Sequence, residues 1–139
     1  MNIVSFKNLV IVLLTVFLLA GCSEMRTTTP GKAFKHWLGV NPPADMELFH
    51  AHYWQSAHWT KEYMIYLEFK PTQAWWDEVV KRNNLTEDQR EWIMPSDAPS
   101  WFQPSAHSIR YRASQSSDQG SRYFRDPTTG ICLIYEIQL

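Results

Sequence analysis

The stretch that most restricts the fold is EYMIYLEFK, residues 62–70. Its large apolar side chains occupy every second position: Tyr63, Ile65, Leu67 and Phe69. Successive side chains of a β-strand point to opposite faces, so this period of two is typical of a strand. We therefore predict a strand here, with its odd-numbered positions facing the core, and a chain built around a sheet.

The rest of the chain predicts further strands and some helix. We expect strands over 47–55, 108–113, 121–125 and 131–138, and a short helix over 32–38. A second helix should begin at an N-cap Thr72 and end at Asn83-Asn84, and residues 86–92 predict a shorter helical piece. The order β-β-α-β-β-β indicates an α+β fold: a small antiparallel sheet of about five strands, with one or two helices packed on one face.

The N-terminal segment has the pattern of a targeting signal. Residues 9–20 are apolar apart from Thr15, and Lys7 is the one charged residue before Glu24. About a dozen apolar residues are too few for a membrane span, which needs about 20. The length suits the core of a signal peptide instead.

The end of this segment, Leu19-Ala20-Gly21-Cys22, resembles the lipobox of bacterial lipoproteins. The resemblance implies that Cys22 is acylated and that the chain is cut just before it, so that a lipid holds the protein in the cell envelope. Ser23, where an aspartate would favour the inner membrane, implies the outer membrane, with the domain facing the periplasm. The alternatives are an ordinary signal peptide with a chance cysteine, or an N-terminal anchor helix.

The chain therefore divides into three parts. Residues 1–21 are the expected lipoprotein signal peptide, 22–30 a lipidated polar tether, and 31–139 one globular domain. Without Lys7 the chain has 12 basic and 14 acidic side chains, a net charge of −2 with neutral histidines. We expect no nucleic-acid partner, because such a partner requires a basic surface.

Cysteine usage excludes an internal disulfide in the domain. The chain has two cysteines, and acylation of Cys22 leaves Cys132 alone. Cys132 lies in the strand-like run ICLIYEIQL, which favours a buried, inert thiol over a reactive one.

The first candidate for chemistry is the pair His50 and His52. Positions i and i+2 of a strand share a face, so both imidazoles could reach one metal ion, with His58 as a third ligand. Zinc needs three or four ligands, and the spacing places no cysteine or carboxylate beside the pair. We therefore predict no metal site and keep His50 and His52 as weak candidates.

The second candidate is a set of arginines on two predicted neighbouring strands: Arg110, Arg112, Arg122 and Arg125. Clustered guanidinium groups can bind carboxylates or phosphates. The alternative, which we favour, is that they are solvated charges that discourage aggregation between sheet edges.

The third candidate is the proline-braced segment PSWFQP, which carries Trp101 and Phe102. Exposed adjacent aromatic residues on a rigid loop would bind a partner at low conformational cost. The opposite interpretation, that both residues fill the core, is slightly favoured.

No catalytic motif is present: there is no G-x-S-x-G, no H-E-x-x-H and no glycine-rich phosphate loop. We predict a non-catalytic lipoprotein without a cofactor that binds another envelope protein, as an accessory subunit or as an immunity protein against a delivered toxin. The alternatives are an envelope hydrolase or metal-dependent enzyme that uses His50 and His52, and a passive structural lipoprotein.

Overall fold

A computed structural model describes residues 23–114 and 119–139, so the segment expected to be a signal peptide with a lipobox lies outside the described residues. Within them the chain forms seven strands and two helices. The strands are β1 (Met25–Thr27), β2 (Glu47–Gln55), β3 (Tyr63–Lys70), β4 (Leu85–Glu87), β5 (Ile109–Ala113), β6 (Arg122–Arg125) and β7 (Cys132–Gln138). The helices are α1 (Pro30–Leu38) and α2 (Gln73–Arg82).

All the strands join one antiparallel sheet in the order β1-β2-β3-β7-β6-β5-β4. The α+β class is confirmed, but the expected number of about five strands is wrong. The two additional strands, β1 and β4, are three residues long and lie at the two edges of the sheet. The sequence pattern predicts a tether for the first and a helical piece for the second, because three residues are too few to show a period of two.

Local capping explains where the helices begin and end. Helix α1 begins at Pro30, whose missing N–H is not needed in a first turn, and stops at Gly39, which has a φ of 74°. Helix α2 begins after Thr72, whose Oγ1 accepts a hydrogen bond from the Trp75 N–H at 3.2 Å. The predicted N-cap is therefore confirmed.

Both helices pack on the same face of the sheet, which we call the helix face. Ile65, Leu67 and Phe69 of β3 are fully buried there, as the period of two predicts. Phe34 of α1 and Trp76 of α2 pack in the same hydrophobic cluster as these three side chains.

The opposite face of the sheet is also covered at its centre, by an irregular segment rather than by a helix. Residues 88–107, here named the cover loop, form a second hydrophobic cluster together with the sheet. The buried members of this cluster are Phe102 of the loop and, from the strands, Tyr66, Phe124, Leu133 and Tyr135. The central strands are therefore buried on both faces, so the even positions of β3 also contribute to a core.

Candidate functional site: an anchored loop with an exposed apolar tip

The cover loop is fixed at its start by a buried carboxylate. Asp88 follows β4 directly, and its side chain is fully buried between guanidinium groups. Its Oδ2 lies 2.7 Å from Nε of Arg122 and 3.2 Å from Nε of Arg110, and its Oδ1 lies 3.9 Å from Nε of Arg112. A buried charge is tolerated only when it is paired in this way.

Hydrogen bonds to the backbone and one cation–π contact complete this junction. The Asp88 N–H donates to the Arg110 carbonyl at 2.8 Å, and Asp88 Oδ1 accepts from the Arg90 N–H at 3.1 Å. The Arg110 guanidinium lies over the Trp92 ring, with its central carbon 6.0 Å from the ring centroid. Trp92 also donates from Nε1 to the Gly120 carbonyl at 3.1 Å.

Three of the four arginines singled out in the sequence therefore converge, and the fourth does not. Arg125 lies on the helix face, where its guanidinium stacks over Trp76 at 5.5 Å and donates to Gln73 Oε1 at 2.7 Å. Arg122 and Arg125 are three positions apart on β6, and a period of two puts such residues on opposite faces. That signal was available in the sequence.

The middle of the cover loop is anchored by aromatic side chains. Phe102 is 1 % exposed and contacts Tyr66 edge-on, with ring centroids 5.0 Å apart. The Tyr66 hydroxyl donates to Asp97 Oδ1 at 3.0 Å. Turns at the prolines hold the backbone: the N–H of Ala98 donates to the Pro95 carbonyl at 3.1 Å.

Trp101 lies at the border of this core. It is partly buried and stacks on the His50 imidazole, with ring centroids 5.3 Å apart and planes 21° apart. His50 Nδ1 lies 2.6 Å from Glu68 Oε2 on the neighbouring strand. Phe102 is thus inaccessible to a partner, and Trp101 shows only one part of its surface.

The end of the cover loop is tied to the β6–β7 turn. Ser105 Oγ donates to Asp126 Oδ2 at 2.7 Å, and Asp126 Oδ1 accepts from the backbone N–H of Thr128 at 2.8 Å. Hydrogen bonds lower the pKa of Asp126 below its usual value: the one from Ser105 has the largest effect, and those from the turn backbone add to it. The carboxylate therefore orders the turn and the loop end together.

Between these anchors the loop presents an apolar tip. Ile93 is 80 % exposed and Met94 is 39 % exposed, directly after the fixed Trp92. An exposed branched aliphatic side chain contributes almost no burial to the fold. We name Ile93 and Met94 the apolar tip.

The two strand histidines do not gather a metal site in the described part of the chain. His50 and His52 lie on the same face of β2, as the spacing predicted, because they pair with Glu68 and Tyr66 of β3. His50 is engaged by Glu68 and Trp101. Across residues 23–114 and 119–139, no three histidine, cysteine or acidic side chains come together in a way that could hold a metal ion.

Comparison with known proteins identifies no relative. No protein-family model matches the chain, and neither does any curated protein or solved structure. In residues 23–114 and 119–139, no helix has both the length and the apolar character that crossing a membrane requires.

Sequence reasoning missed Asp88 and the apolar tip. Asp88 was placed inside a predicted helical piece, where an acidic residue would be a solvated surface charge. No local signal identified it, because its contact with the three arginines depends on the path of the chain after β4. Ile93-Met94 had no signal, because exposure of an apolar pair depends on the packing around it.

Proposed function

We propose that this protein is a lipid-anchored, non-catalytic binding protein of the cell envelope, held at Cys22 and facing the periplasm from the outer membrane. Its partner is another envelope protein or a delivered toxin, and its docking element is the apolar tip. The exposure of Ile93 on a loop fixed at both ends carries this proposal.

The physical argument is one of preorganisation. A partner that binds a mobile loop must offset the entropy of ordering it, whereas the cover loop is already ordered by Asp88, Phe102 and Asp126. An aliphatic side chain that is 80 % exposed gains most of its burial energy when a partner covers it. The net charge of −2 in the processed chain favours a protein partner over a nucleic acid.

Affinity capture from crosslinked envelopes tests the docking element. We expect Ile93→Glu to abolish capture of the partner that the unaltered lipoprotein retains, because a carboxylate cannot be buried against an apolar partner surface without a large cost. Val40→Glu is the matched control, since Val40 is 59 % exposed and lies after α1, outside the cover loop. Equal capture by both variants would refute the assignment of the tip.

Lipidation has a separate test. Metabolic labelling with a fatty-acid analogue should mark the unaltered chain and leave Cys22→Ala unmarked, because the cysteine thiol is the expected attachment point. Label that persists in Cys22→Ala would contradict anchoring at this residue.

A further inference from the structure

The turn between β2 and β3 places an exposed tryptophan in one cleft with Ser23, the residue that follows the expected lipid attachment point. Trp59 is 95 % exposed, the highest value among the large apolar residues of the described chain. Its neighbours His58 and Lys61 are also exposed. We name residues 57–61 the hairpin tip.

The backbone of this turn is ordered. The Ser56 N–H donates to the Glu62 carbonyl at 2.8 Å and closes the turn, while the Lys61 N–H donates to the His58 carbonyl at 3.2 Å. Lys61 has a φ of 43°, in the left-handed region. The backbone that carries Trp59 is therefore ordered, and the Trp59 side chain is exposed on it.

Strand β1 brings the start of the domain to the same place. Met25 pairs with Gln55 and Arg26 pairs with Trp54. Glu24 Oε1 accepts hydrogen bonds from Trp54 Nε1 at 2.5 Å and from Arg26 Nε at 2.6 Å. Residues 24–27 are therefore fixed against the end of β2 that leads into the hairpin tip.

A cleft of about 210 Å³ joins the two features. Ser23 lines it together with His58, Trp59 and Lys61. Cys22 is the next residue, and consecutive Cα atoms lie about 3.8 Å apart. Because Cys22 is bonded directly to Ser23, a lipid on Cys22 would bring the membrane surface close to the hairpin tip.

The chemistry of the tip suits that surface. Tryptophan concentrates at membrane–water interfaces because its ring is apolar and its N–H still needs a polar partner. A lysine beside it is attracted to anionic lipid headgroups. Both residues are exposed, and the fold does not bury either of them.

We propose that the hairpin tip docks on the lipid surface to which Cys22 is anchored, with Trp59 in the headgroup region and Lys61 against anionic headgroups. This inference rests on the proposed lipidation, because the anchor brings the surface within reach. The tip adds a second point of contact to the lipid and so restricts how the domain is oriented. The far ends of β2 and β3, where Glu47 pairs with Lys70, then face away from the membrane.

Tryptophan quenching by brominated lipids tests the contact. The processed lipoprotein is reconstituted in vesicles of phosphatidylethanolamine and phosphatidylglycerol, with and without bromine on the acyl chains. We expect bromine to quench part of the tryptophan emission of the unaltered protein and to leave the emission of Trp59→Phe unchanged. Trp101→Phe is the matched control and should keep the quenched component, because Trp101 lies on the cover loop.

Each outcome decides between the two proposals. Intact-mass measurement on the same sample reports the lipid on Cys22. Suppose that Cys22 carries lipid but that Trp59→Phe and the unaltered protein are quenched equally, or that neither is quenched. The docking of the tip is then overturned, and the anchoring is left intact. A chain without lipid at Cys22 overturns the anchoring proposal and this inference with it.

Discussion

At the scale of single residues, Asp88 shows how one buried charge can hold a loop. Its side chain is fully buried against Arg122, which is itself 5 % exposed, and two further guanidinium groups lie within 4 Å. Loss of the carboxylate would cost more free energy than any single ion pair contributes, because it leaves three guanidinium groups close together, with that of Arg122 buried.

We expect Asp88→Asn to destabilise the domain by about 3 kcal/mol, because the amide keeps the shape of the side chain and removes the negative charge that the buried Arg122 and the partly buried Arg110 and Arg112 face. The free energy of unfolding in urea measures this. Asp45→Asn is the control: Asp45 is exposed, and the change should stay within about 0.5 kcal/mol. Similar stabilities for both variants would show that Asp88 does not organise the loop.

Cys132 is the second residue whose surroundings determine its chemistry. It is fully buried in β7, and burial raises the pKa of its thiol to about 11, although Arg125 nearby acts in the opposite direction. At pH 8 only roughly one thiol in a thousand is then ionised. This agrees with the inert thiol that the strand-like run suggested.

We expect the thiol of Cys132 in Cys22→Ala to resist an aromatic disulfide reagent at pH 8 and to react fully after unfolding in urea. Reaction of the native protein should accelerate as the pH rises from 8 towards 10, because the thiolate is the reactive form and its fraction increases in this range. Release of the reagent's chromophore gives the rate. Fast, stoichiometric reaction of the native protein at pH 8 would contradict a buried thiol.

At the scale of elements, the cover loop replaces the second layer of helices that a sheet buried on both faces often has. Its burial comes from a few large side chains, above all Phe102, while its backbone follows proline turns. Trp101 and Phe102 are adjacent in the sequence but differ in exposure, since Phe102 points into the cluster around Tyr66 and Trp101 stacks on His50.

We expect Phe102→Ala to destabilise the domain by about 3–5 kcal/mol, because it removes a fully buried ring and leaves a cavity between loop and sheet. Thermal and urea unfolding report the loss. Gln103→Ala, at the exposed neighbouring position, should change stability by less than about 0.5 kcal/mol. If Phe102→Ala were equally mild, the loop would not be anchored by this ring.

At the scale of the whole molecule, the two hydrophobic clusters lie on opposite faces of one sheet, and a buried tyrosine in each cluster donates a hydrogen bond to a carboxylate nearer the surface. The Tyr123 hydroxyl donates to Glu136 at 2.7 Å on the helix face, and the Tyr66 hydroxyl donates to Asp97 on the other face. The pKa of both hydroxyls is raised well above 10. Burial is the main cause, and the neighbouring carboxylate acts in the same direction.

We therefore expect stability to fall as the pH rises above about 10. The unfolded chain releases these tyrosine protons near their ordinary pKa of about 10, whereas the folded chain retains them, so alkali favours unfolding. Absorbance at 295 nm should report tyrosinate formation together with the loss of far-ultraviolet circular dichroism. Tyr123→Phe should weaken this dependence on pH; titration of all tyrosines near pH 10 in the folded state would contradict it.

Several parts of the fold were predictable because their signals are local. The alternation in 62–70, the N-cap Thr72 and the strand pattern of 131–138 depend on neighbouring residues, and the structure agrees with all three. The three-residue strands β1 and β4 were not predictable, because their identity comes from pairing with β2 and β5.

The candidate site was predictable only in its components. The shared face of Arg110 and Arg112 follows from a period of two, and Arg122 lies on the neighbouring strand as expected. Their contact with Asp88 was not predictable, because it depends on the path of the chain after β4, which no local pattern specifies.

The sequence by itself determined the five longer strands, the two helices and the alternation of side chains between the faces of a strand, because backbone geometry repeats every 2 or 3.6 residues and shows in local order. The tertiary structure alone decided that Asp88 meets three arginines, that Phe102 is buried while Ile93 is exposed, and that Ser23 lies beside Trp59. Those relations join residues distant in sequence or depend on burial, and both arise only when the chain packs.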